Sequence, residues 1–425
     1  MKERKFPVNN TTLYAFTNEN LNSFCLSFYV RVGSIFENKD NNGISHMLEH
    51  MVFRNIKRKY PDNFYDLLTL NGLIFSGTTY REFMRFTITG PSFGFDFARE
   101  VICSVFDEIA ISNKDYQLEK KRIKAEIRES DNRYSIGNFF LRNIWADTTN
   151  EKTILGYCKN LDKISLSKLE EFRKYTFCGD NSFFYVTGNI SDEEIKSLVS
   201  KIQLLDIEKG DKRNNNVINV SERFFKREHS VKIKDGSCYC AYFGFDIDPQ
   251  KCPPAVYDLI YNTLFTGENA LIFKYISEDN PIAYSYECTQ EQYDNVGNIH
   301  FNFEFAPTKA KESIACVISA LNDLKQGNFN FDANLQFELA NCLINLDNPD
   351  EINWTMAYYN HILDTTPYDY SAKNYGRFAD VTKEQVVNCA KEIFIRDNLT
   401  LVLEGRKSKL KPDLIEEILT QLDNE

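Results

Sequence analysis

Two periods of hydrophobic and polar residues run along this chain, and each switch between them marks an element. Thr12-Leu13-Tyr14-Ala15-Phe16 and the longer Ser23 to Val32 are rich in β-branched and aromatic residues and predict strands. At Ile44 the period changes. Ile44, Met47, Leu48, Met51 and Val52 recur at i, i+3, i+4, i+7 and i+8, the stripe of an amphipathic helix. A polar turn from Glu37 to Gly43 precedes it, with Asn41 or Asn42 as the expected cap. Pro61 predicts a second helix over about 61–71, ended by Asn71-Gly72. A hairpin follows, Leu73 to Thr79 and Glu82 to Thr89, then a helical region over about 93–130 broken near Ser112-Asn113. Helices over about 135–148 and 166–176, a strand from Ser182 to Gly188 and a helix over about 191–203 complete this part.

Residues 206–229 lose the apolar period and read as a linker. The pattern then starts again. Strands are expected at Cys238 to Ile247, 297–305 and Leu399 to Gly405, and helices at about 253–265, 308–325, 331–345, 351–363 and 382–394. Leu399 to Gly405 echoes Phe183 to Gly188 in the first part. The expected fold class is α+β, with two similar α/β-sandwich units of about 200 residues each. The expected domains are 1–205, a linker at 206–229, and 230–425.

Composition narrows the picture. A chain of 425 residues exceeds one core and fits two or more domains. Its net charge of −11 argues against a nucleic-acid surface and against general attraction to anionic membranes. The 11 cysteines are scattered, with no C-x-x-C pair, and read as free thiols in a reducing compartment. No stretch approaches the roughly 18 apolar residues of a membrane span, and Met1 to Pro7 leads into no apolar segment. The expectation is a soluble cytoplasmic protein with no membrane span and no nucleic-acid partner.

The chemistry collects on the helix that begins at Ile44. His46, Glu49 and His50 stand at i, i+3 and i+4, on the face opposite the apolar stripe. Only 5 histidines occur in the chain, and two are here. From composition alone an H-x-x-E-H pattern arises in roughly one such sequence in two hundred. Two neutral imidazoles on adjacent turns suit Zn²⁺, one ion per chain, and a carboxylate between them suits a general base acting on water. A catalytic zinc needs a third protein ligand. The order H-x-x-E-H, not H-E-x-x-H, points to the inverted zincins. His229, His300 and His361 have no helical His or Cys partner and read as surface or satisfied core residues. No Walker A loop, no G-x-G-x-x-G after a strand and no G-x-S-x-G elbow is present.

The stretch Val32-Gly33-Ser34-Ile35-Phe36-Glu37, followed by Gly43-Ile44-Ser45-His46-Met47-Leu48-Glu49-His50-Met51-Val52-Phe53, resembles the M16 family of pitrilysin, insulysin and mitochondrial processing peptidase. That family shows G-S-x-x-E and then G-x-x-H-x-x-E-H-M-x-F. Its third zinc ligand is a glutamate about 76 residues beyond the second histidine, within E-x(6)-E on a helix. Counting from His50 reaches Glu126, and Glu119 stands seven before it. The resemblance therefore implies His46, His50 and Glu126 as ligands, Glu49 as catalytic base and Glu119 as a supporting catalytic carboxylate. It implies a half clamshell that works as a dimer and takes a peptide substrate as an added strand on a sheet edge.

This chain departs from the pattern twice. Where the family's edge strand has Asn-Ala before a Thr, Ser76-Gly77-Thr78-Thr79 stands here, so Ser76, Gly77 and Thr78 are the expected backbone-holding residues. The family's second half carries an Arg-x(6)-Tyr element that binds the substrate carbonyl. Tyr284 matches its Tyr, but Ser277 falls where the Arg belongs and supplies no cation. The expectation is the zinc-bearing member of a heterodimer, small and bacterial in type, whose partner carries the Arg-Tyr pair, in preference to a homodimer. A narrower likeness is to subunits that mature ribosomally made bacteriocins of the subtilosin type. The competing reading is a non-catalytic scaffold or peptide-binding subunit of the same family.

Overall fold

A computed structural model describes residues 2–60, 63–130, 135–146, 151–213, 230–234, 236–293, 296–363, 378 and 380–423. Two compact units result, and neither is a simple half of the chain. The first comprises residues 1–132, 148–216 and 342–373, the second residues 133–147, 217–341 and 374–425.

The first unit is built on a six-stranded sheet. Its strands are β1 (Arg4–Val8), β2 (Thr11–Thr17), β3 (Ser23–Val30), β4 (Ile74–Thr79), β5 (Met84–Pro91) and β6 (Ser182–Gly188), in the order β1-β2-β6-β3-β5-β4. Only β2 and β6 run parallel. β3 is buried along nearly its whole length, which explains its continuous rather than alternating apolar run. The core joins the sheet to α1 (Ile44–Lys59), α2 (Phe64–Leu70), α3 (Phe95–Cys103) and α4 (Asn113–Ser130). A helix from the later part of the chain, Pro349–Ala357, lies against β3 and β6. Its Asn353 accepts from the Tyr29 hydroxyl at 2.9 Å and donates to the Tyr185 carbonyl at 3.0 Å. Buried Arg85 donates to Asp350 at 2.5 Å and to Asn353 at 3.1 Å, so its charge is paired and its hydrogen bonds are made inside the fold.

The second unit repeats this plan. Its strands β7 (Ser230–Lys234), β8 (Cys240–Ile247), β9 (Glu287–Gln292), β10 (Gly297–Glu304) and β11 (Leu399–Glu404) take the order β7-β11-β8-β10-β9. This matches β2-β6-β3-β5-β4 strand for strand, down to the single parallel pair, β7 with β11. The helix Ile136–Ile144, from the earlier part of the chain, packs on β8 and β11. Gly244 of β8 admits it: a Cβ there would lie 2.8 Å from the Phe140 ring. The expected α+β class with two similar units is the observed fold. Among the described residues no helix is long and apolar enough to cross a membrane.

Several elements lacked a pattern. β1 contains Pro7 and two basic residues, and β9 is almost wholly polar. Both are edge strands, with ladder bonds to one neighbour only, and of β1 just Phe6 and Val8 reach the core. The second helix starts at Phe64, and Pro61, its expected first residue, lies outside the described residues, as do 214–229 of the expected linker. The strand expected from Cys238 begins at Cys240, leaving Cys238 exposed.

Candidate metal centre and active site

The start of α1 is fixed from upstream. The expected caps Asn41 and Asn42 do not cap it. Gly43 precedes the helix in a left-handed conformation, φ 97°, with no side-chain cap. Buried Glu37 replaces one: its carboxylate accepts from the N–H groups of Gly43 and Ser45 and from Asn42 Nδ2, each at 2.8 Å. A carboxylate at the positive end of the helix satisfies free N–H groups and complements the dipole. The helix phase, and with it the direction of His46, is set by this contact.

Ile44, Met47, Leu48, Met51 and Val52 face the core as their spacing predicts. The opposite face does not open to solvent as an isolated amphipathic helix would. α4 packs across it, leaving His46 at 6 % and Glu49 at 9 % exposure.

α4 delivers two carboxylates, Glu119 and Glu126, two turns apart. One nitrogen of His46, one of His50 and one carboxylate oxygen of Glu126 lie within 4.8 Å of one another. His46 Nε2 is 3.6 Å and His50 Nε2 3.5 Å from the Glu126 oxygens. These gaps are too long for hydrogen bonds, yet they suit ligands sharing one ion with bonds of about 2.0–2.2 Å. His46 Nδ1 is buried with no hydrogen-bond partner among the described residues. Burial, then the neighbouring His50, pushes the His46 pKa down to about 3, so the ring stays neutral. Two neutral or deprotonatable imidazoles and a carboxylate form a donor set that fits zinc.

Glu119 does not join the cluster. It accepts from His50 Nδ1 at 3.0 Å, which turns His50 Nε2 toward Glu126. Arg54 Nε donates to its other oxygen at 2.5 Å. Burial opposes ionisation of Glu119, but these two partners outweigh it and hold its pKa at about 2. Burial likewise opposes the charged form of His50, but the Glu119 hydrogen bond and the carboxylates of Glu49, Glu119 and Glu126 outweigh it and raise its pKa. Such a carboxylate behind an imidazole fixes the tautomer and strengthens the ligand.

Glu49 is held by Thr79, the last residue of β4, whose hydroxyl donates to Oε2 at 2.6 Å. Burial raises the Glu49 pKa against this bond and against the attraction of His50. β4 comes this close because Gly77 has no side chain. A Cβ there would lie 2.5 Å from the Phe53 ring and 3.2 Å from Glu49 Cγ. β4 is a sheet edge, with β5 on one side only. Ser76 and Thr78 are exposed and alternate with Gly77, so the open backbone of this strand, not their side chains, borders the site. Tyr284 belongs to the second unit and is 92 % exposed; Ser277 lies in the short helical turn Lys274–Glu278. His361 is satisfied, 3.0 Å from Glu3 and stacked on Tyr14, and His229 lies outside the described residues.

The sequence reading passed over Thr79, Arg54 and the capping role of Glu37. Arg54 carried a signal, at i+4 from His50 on the ligand face. Thr79 carried none, because its approach to Glu49 is a strand-to-helix contact.

Fold and site together define a class, chains of two like sandwich units carrying an inverted H-x-x-E-H helix. The family description "Insulinase (Peptidase family M16)" matches residues 15–156, and "Peptidase M16 inactive domain" matches residues 163–333, a span holding none of His46, Glu49, His50 and Glu126. An uncharacterized zinc protease of Rickettsia bellii is 22 % identical over 293 residues, 68 % of this chain and 70 % of that one. The human mitochondrial-processing peptidase subunit beta is 22 % identical over 180 residues, 42 % of this chain and only 37 % of that one. A protease from Helicobacter pylori shares the fold with a TM-score of 0.79 at 16 % identity, over 95 % of this chain and 99 % of that one. The chain belongs to peptidase family M16.

Proposed function

We propose that this chain is a zinc-dependent metallopeptidase subunit that cuts short unfolded peptides. The convergence of His46, His50 and Glu126 beside buried Glu49 carries the reading. A zinc ion on these three ligands supplies Lewis acidity for the scissile carbonyl and lowers the pKa of water. Glu49, whose Oε2 accepts from the Thr79 hydroxyl, takes the proton of the attacking water and hands it to the leaving amine nitrogen. Glu119 keeps His50 oriented throughout. The open edge of β4 receives the peptide as an extended strand, so sequence-independent backbone bonds align the scissile bond.

The proposal includes a companion subunit. Ser277 provides no cation, so the Arg-Tyr element of the family would come from a second chain of the same type. Maturation of a ribosomally made peptide, by leader removal or bacteriocin processing, is the finer form of this reading and rests on the chain's size and on Ser277. Metal analysis and peptide cleavage, with and without the companion, test the proposal. Zinc binding with cleavage abolished by Glu49→Gln supports it. Cleavage that survives Glu49→Gln overturns the mechanism. Full activity of this chain as a homodimer overturns the companion, and bound zinc without any cleavage favours a scaffold.

A further inference from the structure

A cavity of about 260 Å³ opens beside Glu49 and His50, and Glu126 is not among its lining residues. Its apolar wall is aromatic, made by Phe53 and Phe64, with the Phe53 ring tilted 33° to that of Phe75 at a centroid distance of 4.6 Å. Its remaining wall is charged. Arg54, Lys57 and Arg122 line it, against the carboxylates of Glu49 and Glu119. Those two carboxylates are committed. Glu49 is bound to Thr79, and Glu119 serves His50 and Arg54 with Arg122 a further 3.6 Å away. Lys57 has no ion-pair partner among the described residues. Its ammonium rests 4.4 Å from the Tyr65 ring centre, which attracts a cation without neutralising it. Arg122 is 63 % exposed, and 3.6 Å is too long a reach to Glu119 for a hydrogen bond.

We propose that this cavity is a substrate side-chain subsite next to the scissile bond, and that it selects an acidic residue, glutamate above all, and rejects lysine and arginine. The inference rests on reading Glu49 and His50 as the groups that flank the scissile bond. A glutamate side chain lays its methylenes along Phe53 and Phe64 and brings its carboxylate to Lys57 and Arg122. A lysine or arginine of similar length brings a fourth cation against Arg54, Lys57 and Arg122. Glutamine fits the shape without the charge and falls between. Arg54 contributes less, because Glu119 already holds it.

Labelled peptides that differ only in Glu, Gln or Lys beside the scissile bond test this in two measurements. The first is binding by fluorescence anisotropy to the full chain stripped of metal with a chelator, where no turnover occurs. The second is cleavage of the same peptides by the zinc-loaded chain with its companion. The expected result is binding in the order Glu, Gln, Lys, with about tenfold between the ends, and the order reversed by the Lys57→Glu, Arg122→Glu double variant. Lys57→Gln should shrink the Glu-to-Lys ratio severalfold by itself. Equal binding of the three peptides, no binding of any, or an order that charge reversal leaves in place overturns the subsite. Selective binding without cleavage upholds the subsite and counts against the peptidase reading alone.

Discussion

The Thr79 hydroxyl and the Glu49 carboxylate are joined by a buried 2.6 Å hydrogen bond that ties the end of the edge strand β4 to the H-x-x-E-H helix α1. The bond occupies one carboxylate oxygen and restrains rotation of the other. Thr79→Val should lower kcat about tenfold with KM and zinc content little changed, and Thr79→Ser should restore most of it. Steady-state kinetics with metal analysis check this. A Thr79→Val variant with unchanged kcat would remove the positioning role.

Gly77 stands where the family's edge strand has alanine. In this chain the added methyl meets Phe53 at 2.5 Å. Gly77→Ala should therefore destabilise the fold by about 1–3 kcal/mol and loosen β4 from α1. Denaturant unfolding measures the cost. Unchanged stability would mean that Phe53 turns aside freely.

On the proposed reading Glu119 acts on metal affinity through His50, to which it is hydrogen-bonded. Glu119→Gln keeps the shape but removes the charge that fixes the imidazole, and it leaves Arg54 without its ion-pair partner. Zinc affinity should fall about 10–100-fold, as read by competition with a chromogenic chelator. Retained affinity would make Glu119 a structural partner of Arg54 only.

Glu338, on the helix Phe331–Asn345, predicts a pH dependence away from the site. It is buried, its Oε1 has no partner among the described residues, and burial raises its pKa from 4.5 to about 7 against a hydrogen bond from Asn341. The folded chain therefore keeps a proton between pH 4.5 and 7 that the unfolded chain releases. This group's contribution is whole below pH 4.5 and is lost as pH rises through 7. Glu338→Gln should flatten that slope and raise Tm by about 2–4 °C at pH 8. Melting curves from pH 4 to 8 decide it, and an identical slope in both proteins rules the assignment out.

The metal helix could be read in the chain because its chemistry and its amphipathic period coincide on the same nine residues. Glu126 lies 76 residues further on, and only family likeness connected it to His50. Glu37 looked like part of a polar turn, since nothing local distinguishes a carboxylate that bends back to cap a helix from one in water. Thr79 and Lys57 acquire their roles from strand and helix packing, which periodicity does not encode. The likeness of the two units was visible as a recurring pattern of elements, but the order of strands within each sheet was not, since β7 and β9 carried no expectation. The assignment of helix 136–144 to the second sheet, and of helix 349–357 to the first, was not, because proximity along a chain says nothing about which sheet a helix covers.

That last arrangement bears on how the protein is made. The sheet that supports α1 is not covered until Asp350 and Asn353 have been synthesised, far behind Glu126. On the ribosome, the nascent first unit must wait with Arg85 uncompensated and β3 bare on one side. A fragment ending at residue 213 would carry His46, His50 and Glu126 and still lack the helix Pro349–Ala357 that covers its sheet.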